Sequence, residues 1–248
     1  MAQNQVVNAT AEQSRELTES NREDWKGRSF MRDLFLGRLR VDWIDPFPFT
    51  PESDEYHALR ERLHAFLVNE VDSVAIDENG EYPEDVLQGL RDLGLFGIKI
   101  DKKYGGLGFT QAEYCKLVEL IGAYDSNLVA LISAHNSIGV PQPLIKFGSE
   151  ELKEKYLPKI AAGAITAFAL TEPDVGSDPA RLATTVKKNE DGTYTLNGLK
   201  LWITNGTLAD YIVVMARDVD SQKISAFVVD MSWPGVSGNY RCHFMGLK

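Results

Sequence analysis

The sequence predicts an α+β chain of more than one domain. An all-α region over residues 51–163 is followed by an antiparallel β sandwich or barrel over 164–248, and a tail with an aromatic arm over 1–50 precedes both. Three observations carry this. Apolar residues recur at helical spacing from Tyr56 to Tyr156, in runs opened by capping residues and closed by glycines. At Ile165 the period changes to alternation, with Asp191-Gly192 as a hairpin signal between two alternating runs. No internal repeat and no low-complexity linker separates the two regions.

Taken in order, the first twenty residues are polar and are expected to be disordered. From Ser29 to Leu39, Phe30, Leu34, Phe35 and Leu39 stand at helical spacing, and Val41 to Phe49 continues as an extended aromatic arm. Such an arm packs along a domain surface or serves a partner contact. Pro51 to Val74 reads as a helix, with Glu52 and Asp54 complementing its dipole and Tyr56, Leu59, Leu63, Phe66 and Leu67 as its apolar stripe. Glu78-Asn79-Gly80 is a turn. Pro83 to Leu93 is a second helix that Gly94 ends, and Leu95 to Ile100 is a short apolar run. Thr110 caps a long helix bearing Tyr114, Leu117, Val118 and Ile121, which breaks at 122–125. Asn127 to Ala134 is apolar nearly all round and therefore buried. His135, which follows it with no Cys or Ser nucleophile to pair with, reads as a structural hydrogen-bonding residue. Ser149 opens a helix to Pro158 whose Glu/Lys alternation is a solvated face. The expected strands are Thr166–Leu170, Ala183–Asn189, Thr193–Asn197, Leu199–Ile203, Tyr211–Ala216 and Ile224–Asp230.

Bulk properties exclude several classes. Acidic residues outnumber basic ones 36 to 26, for a net charge of −10, which argues against a nucleic-acid or anionic-membrane surface. Cys115 and Cys242 form no CxxC pattern, so neither a zinc site nor a disulfide framework is indicated and a reducing compartment is expected. No apolar run approaches the length of a membrane span, and the N-terminus has no secretory apolar region. Tyr104-Gly-Gly-Leu-Gly108 has the wrong spacing and context for a dinucleotide fingerprint.

The chain is organised around Phe168-Ala-Leu-Thr-Glu-Pro-Asp-Val-Gly-Ser-Asp178. A buried-looking strand enters a turn of hydroxyl and small residues, which lets backbone N–H groups approach an anion. Asp178 followed by Pro179 reads as the N-cap and first position of a short helix over Pro179–Leu182. A strand end, a small-residue loop and a helix start together make a phosphate site, or only a strand-to-turn connection.

This stretch and Trp202-Ile-Thr-Asn-Gly206, in the context of both regions, resemble the acyl-CoA dehydrogenase family over roughly residues 51–248. Tyr104–Gly108, Ser133–Gly139 and Phe147–Pro158 agree with the resemblance, and the arm from Ser29 to Phe49 looks like that of the very-long-chain branch. The resemblance implies an FAD flavoprotein that dehydrogenates acyl-CoA thioesters between the α and β carbons. A carboxylate takes the α-proton, flavin takes the β-hydride, and electron-transferring flavoprotein is the next acceptor.

On the same resemblance, Phe168, Leu170 and Thr171 would lie along the isoalloxazine edge, with Thr171 hydrogen-bonded to its pyrimidine end. Gly176 and Ser177 would meet the pyrophosphate or the CoA side, so that Ser177 is also the substrate-binding candidate. Trp202 would pack on the ring, with Ile203 beside it and Thr204 near N5. Read without the resemblance, Trp202 is a core aromatic of a sandwich strand.

The family's C-terminal helical domain, which carries the catalytic Glu, is expected to be absent, since the chain stops at Lys248 inside the β region. No residue is therefore assigned as catalytic base, and Glu172 is placed in the flavin-side turn. A lone chain of this kind is expected to be inactive, and the complete protein to be a dimer or tetramer in the cytoplasm, or in the mitochondrial matrix of a eukaryote. An acyl-CoA oxidase of the same fold and a non-catalytic assembly subunit are the alternatives.

Overall fold

The computed structural model of the protein describes residues 29–47 and 49–247. The expectation of a disordered tail falls outside them. The described residues divide into two compact units, one up to Pro51 and one from Glu52 onward.

In the first unit, helix α1 (Phe30–Phe35) is capped by the Ser29 hydroxyl, which accepts from the Arg32 N–H at 3.2 Å. Gly37, at φ +76°, closes it two residues later, so the predicted helical spacing is used for little more than one turn. A 3₁₀ turn follows at Val41–Trp43, with the Arg40 guanidinium over the Trp43 ring at 4.5 Å. Phe35, Phe47 and Phe49 each expose four fifths of their surface.

The second unit begins with seven helices. The expected helix over 51–74 is two: α2 (Asp54–Asn69) and α3 (Ser73–Asn79), because Asp72 caps a new start with bonds from the Val74 and Ala75 N–H groups. All five predicted stripe residues of α2 are buried. Then come α4 (Glu84–Asp92), α5 (Gln111–Gly122), α6 (Ser126–Ser137), α7 (Pro141–Phe147) and α8 (Glu150–Ala161). Helix α7 is unpredicted. Leu95–Ile100 is a tight buried turn rather than a regular element.

Thr110 and Glu113 form a reciprocal capping box on α5. The Glu113 carboxylate also accepts from the Ser53 N–H at 2.9 Å and its hydroxyl at 2.7 Å, which joins the starts of α2 and α5. Burial works against this charge, but the four donors outweigh it and hold Glu113 at about 2.

The helices are followed by five strands: β1 (Thr166–Ala169), β2 (Thr185–Lys188), β3 (Tyr194–Asn197), β4 (Tyr211–Asp218) and β5 (Ile224–Asp230). The helix-then-sheet order is as expected, but the sheet is mixed rather than wholly antiparallel. β2–β3 and β4–β5 are antiparallel, whereas β1 and β2 both run parallel to β4. Alternation specifies which face a side chain takes and is silent on strand direction. The long connections 170–184 and 198–210 permit the parallel pairings.

Register places the key loop. β1 pairs with Tyr211–Val214 of β4, β2 with Arg217–Asp218, and β5 with the opposite edge of the same strand. Residues 170–184 therefore leave the sheet between two strands that occupy successive stretches of one β4 edge. One cluster, including Leu144, Tyr156, Leu157, Ile160 and Val213, packs helices on the sheet, while Ala167, Ala169, Ile212, Val214 and Val229 form the core on its other face. Among the described residues no helix is long and apolar enough to cross a membrane, and no cluster of His, Cys, Asp and Glu could hold a metal.

Candidate cofactor site

β1 is aimed by α6. His135 is fully buried; its Nε2–H donates to the Phe96 carbonyl at 2.8 Å, and its Nδ1 accepts from the Thr166 N–H at 3.0 Å. Burial holds the imidazole down at about 4, so it is neutral and purely structural. Gly139 allows the approach, because a Cβ there would sit 2.4 Å from Thr166 Oγ1.

Beyond β1 the chain turns tightly. The Glu172 N–H donates to the Val175 carbonyl at 3.0 Å and the Val175 N–H returns to Glu172 at 3.1 Å, which leaves Pro173 and Asp174 at the exposed tip. Gly176 and Ser177 are exposed, and a Cβ at Gly176 would meet nothing within 4 Å. Asp178 caps a single 3₁₀ turn, Pro179–Arg181, by accepting from the Ala180 N–H at 3.2 Å. The expected helix is thus one turn only, because the chain must rejoin β4 at Thr185. Arg217 of β4 draws the loop back by donating to the carbonyls of Leu182, at 3.1 Å, and Ala180.

The side chain of Glu172 points inward. Its carboxylate accepts from the Ala183 N–H at 2.6 Å, the Thr184 N–H at 3.0 Å and the Lys200 ammonium at 2.8 Å. Burial opposes the charge, yet Lys200 and the Ala183–Thr184 donors win and hold it at about 2. Lys200 also donates to the Leu170 carbonyl at 3.1 Å. Burial lowers its pKa, opposed by the hydrogen bond to Glu172 and by that carboxylate's charge. A cleft of about 210 Å³ opens beside this pair, lined among others by Asp174, Arg181, Thr184 and Leu199.

Leu199–Ile203 is not the strand the sequence suggests. The Leu201 N–H donates to the Thr171 carbonyl at 2.9 Å, and then Trp202 takes φ +56° and Asn205 φ +67°, which no strand accommodates. Left-handed backbone at a bulky residue costs on the order of 1–2 kcal/mol. Asn205 is held there by donating to the carbonyls of Leu131 at 3.0 Å and Thr166 at 3.2 Å. Trp202 is consequently 64% exposed rather than a core aromatic. Thr204 is exposed too, while Ile203 turns in against the sheet core.

The structure therefore brings Leu170 and Thr171 directly against Lys200 and Leu201, which immediately precede Trp202. Phe168 is placed differently, against the cluster between helices and sheet, on the opposite side from Ile203. Sequence reasoning missed Lys200, Asn205 and Arg217. The available signals were a single Lys between Leu199 and Leu201, and an Asn-Gly pair whose Asn tolerates left-handed backbone.

The donor set suits a ring-plus-pyrophosphate group. An exposed indole stands on left-handed backbone one residue beyond the Leu201–Thr171 bond, Thr204 is exposed two residues later, and the Gly176-Ser177 turn is open.

Two family models and the curated relatives they agree with name one family. The model "Acyl-CoA dehydrogenase, N-terminal domain" matches residues 53–164, and "Acyl-CoA dehydrogenase, middle domain" matches 167–248. A probable acyl-CoA dehydrogenase of Mycobacterium tuberculosis is 46% identical over 252 residues, covering 98% of this chain and 39% of its own length. The very long-chain specific acyl-CoA dehydrogenase of Bos taurus mitochondria is 36% identical over 261 residues, covering all of this chain and 40% of the relative. Among solved structures, an acyl-CoA dehydrogenase from Bacillus anthracis complexed with FAD superposes with a TM-score of 0.71 at 36% identity, over 79% of this chain and 34% of that one. The chain thus spans about two fifths of the length of the curated relatives it matches.

Proposed function

Since this chain belongs to the acyl-CoA dehydrogenase family, we propose that it forms the flavin-facing part of an FAD-dependent enzyme that dehydrogenates acyl-CoA thioesters between the α and β carbons. The observation that carries this is Trp202: a bulky residue at φ +56°, 64% exposed, anchored through Leu201 to Thr171. Strain of this kind persists where function uses it.

In this reading FAD, when bound, supplies the acceptor for the hydride that leaves the β carbon. The protein's part is binding and electrostatics. Trp202 offers its indole face to the ring, and the Thr171 and Thr204 hydroxyls offer donors to its polar edge. Leu170, next to Lys200, supplies apolar support, while Phe168 and Ile203, packed in the cores on opposite faces of the sheet, act only by fixing β1 and the segment after Lys200. Gly176 and Ser177 present small, exposed backbone to the pyrophosphate or to CoA. Glu172 does not serve as base. Its carboxylate is taken by Lys200 and two backbone N–H groups and stays ionised at about 2, far below what proton abstraction at neutral pH requires.

The acyl-CoA substrate, electron-transferring flavoprotein as acceptor, homo-oligomeric assembly and a cytoplasmic or matrix location belong to the same proposal. The test is a titration of the purified protein with FAD, read by flavin absorbance and fluorescence, for wild type, Trp202→Ala and Thr204→Val. Weaker retention in both variants is expected, and wild-type affinity in both would remove this assignment. Oxygen uptake with acyl-CoA, without reduction of electron-transferring flavoprotein, would make the enzyme an oxidase.

A further inference from the structure

Lys200 sits in an apolar run, and its side chain is 11% exposed, against 3% for that of Glu172. A pair this buried is poor evidence of net stability, because desolvation cancels much of its attraction. What it provides is geometry. Three bonds bracket Thr171: Lys200 Nζ to the Leu170 carbonyl at 3.1 Å, the Leu201 N–H to the Thr171 carbonyl at 2.9 Å, and Lys200 Nζ to the Glu172 carboxylate at 2.8 Å. Through its other bonds, to the N–H groups of Ala183 and Thr184, the same carboxylate fixes the far end of the loop. One ion pair therefore ties together residues 170–172, 183–184 and 200–201, and the exposed Trp202 lies immediately beyond.

We propose that Lys200, acting through Glu172 and the Leu170 carbonyl, is a positioning residue that holds Thr171 and Trp202 in a single register for the flavin, an inference that rests on the flavin reading above. Lys200 does not touch the cofactor in this scheme. Its ammonium is consumed by the turn, and its effect reaches the ring only through where Thr171 and Trp202 are held. The two motifs, 28 residues apart at Glu172 and Lys200, then work as one device.

The experiment compares wild type with Lys200→Met, Lys200→Arg, Glu172→Gln and the Lys200→Met/Glu172→Gln pair, in the full chain. FAD affinity by fluorescence titration is one readout. Amide exchange at Leu201, whose N–H reports the Thr171 contact, is the other and needs no flavin. Lys200→Met should weaken FAD about tenfold or more, the scale of a lost charge-assisted hydrogen bond, and should speed Leu201 exchange by a similar factor. Lys200→Arg, which keeps the charge, should recover most of both. The double variant should be no worse than the worse single one, because both remove the same connection. Additive losses would overturn the proposal, and so would a lower melting temperature with wild-type FAD affinity and wild-type Leu201 exchange. If wild type takes up no FAD, the flavin reading fails, and the exchange comparison still decides whether Lys200 holds the register.

Discussion

Lowering the pH should strike this fold first at His135. The imidazole is fully buried, donates to Phe96 and accepts from Thr166, and is held at about 4 against an ordinary 6.5 by its burial. In the unfolded chain the ring takes a proton as pH falls through 6.5; in the folded one it resists until about 4. The unfolded state therefore binds more protons across that window, so stability is full above pH 6.5 and declines toward pH 4. At about 1.4 kcal/mol per pH decade the whole loss is about 3 kcal/mol, of which about 2 has occurred by pH 5. Glu113 and Glu172, held at about 2, are lost only below the ordinary carboxylate range of 4.5 and leave this window nearly clear. The assay is urea unfolding at pH 7.5 and 5.0 for wild type and His135→Gln. The variant should be weaker at pH 7.5, having lost packing and part of the hydrogen bonding. Its stability should fall about 2 kcal/mol less than that of wild type on going to pH 5. Equal pH sensitivity in the two proteins would refute the assignment, since the exposed histidines and the carboxylates are common to both.

Trp202→Gly should raise the melting temperature slightly, by relief of about 1–2 kcal/mol of left-handed strain partly offset by the backbone entropy glycine loses on folding, while lowering FAD affinity; loss of stability would mean the indole is a packing residue after all. Gly198→Ala should destabilise by about 1–3 kcal/mol in thermal melts, because the new Cβ would lie 2.3 Å from the buried Thr184 hydroxyl. Asn205→Ala should cost about 2 kcal/mol or more, and Asn205→Gly distinctly less, since glycine loses the two carbonyl contacts but keeps the φ of +67° without strain.

The helical half was legible because its signals are local. The Thr110 and Ser149 caps, the break at 122–125 and the α2 stripe are all written within a turn or two of the residues they govern. The misses there were local too. Asp72 restarts a helix that the periodicity alone would have run on, and Pro141 opens α7 from a residue that reads as a breaker. The sheet was legible in five strands and their faces, but not in how the strands pair. That β1 and β2 share one edge of β4 depends on where two loops can travel, and alternation carries no trace of that.

The site shows the same division more sharply. Trp202 and Thr204 were singled out for the flavin as residues of a strand, and the structure puts both exposed on a non-strand segment instead. Leu199–Ile203 has the β-branched and aromatic content of a strand, and local propensity cannot know that the Thr171 carbonyl will claim the Leu201 N–H. That contact exists because Lys200 and Glu172 meet, and neither residue has meaning from its neighbours alone. Lys200 reads as a solvated lysine, and Glu172 as one more polar residue in a turn. Only their joint burial, 28 positions apart, turns them into the connection between the two motifs. A candidate site assembled from two loops is therefore visible in sequence as its exposed residues, while the buried groups that join the two loops stay hidden until the fold brings them together.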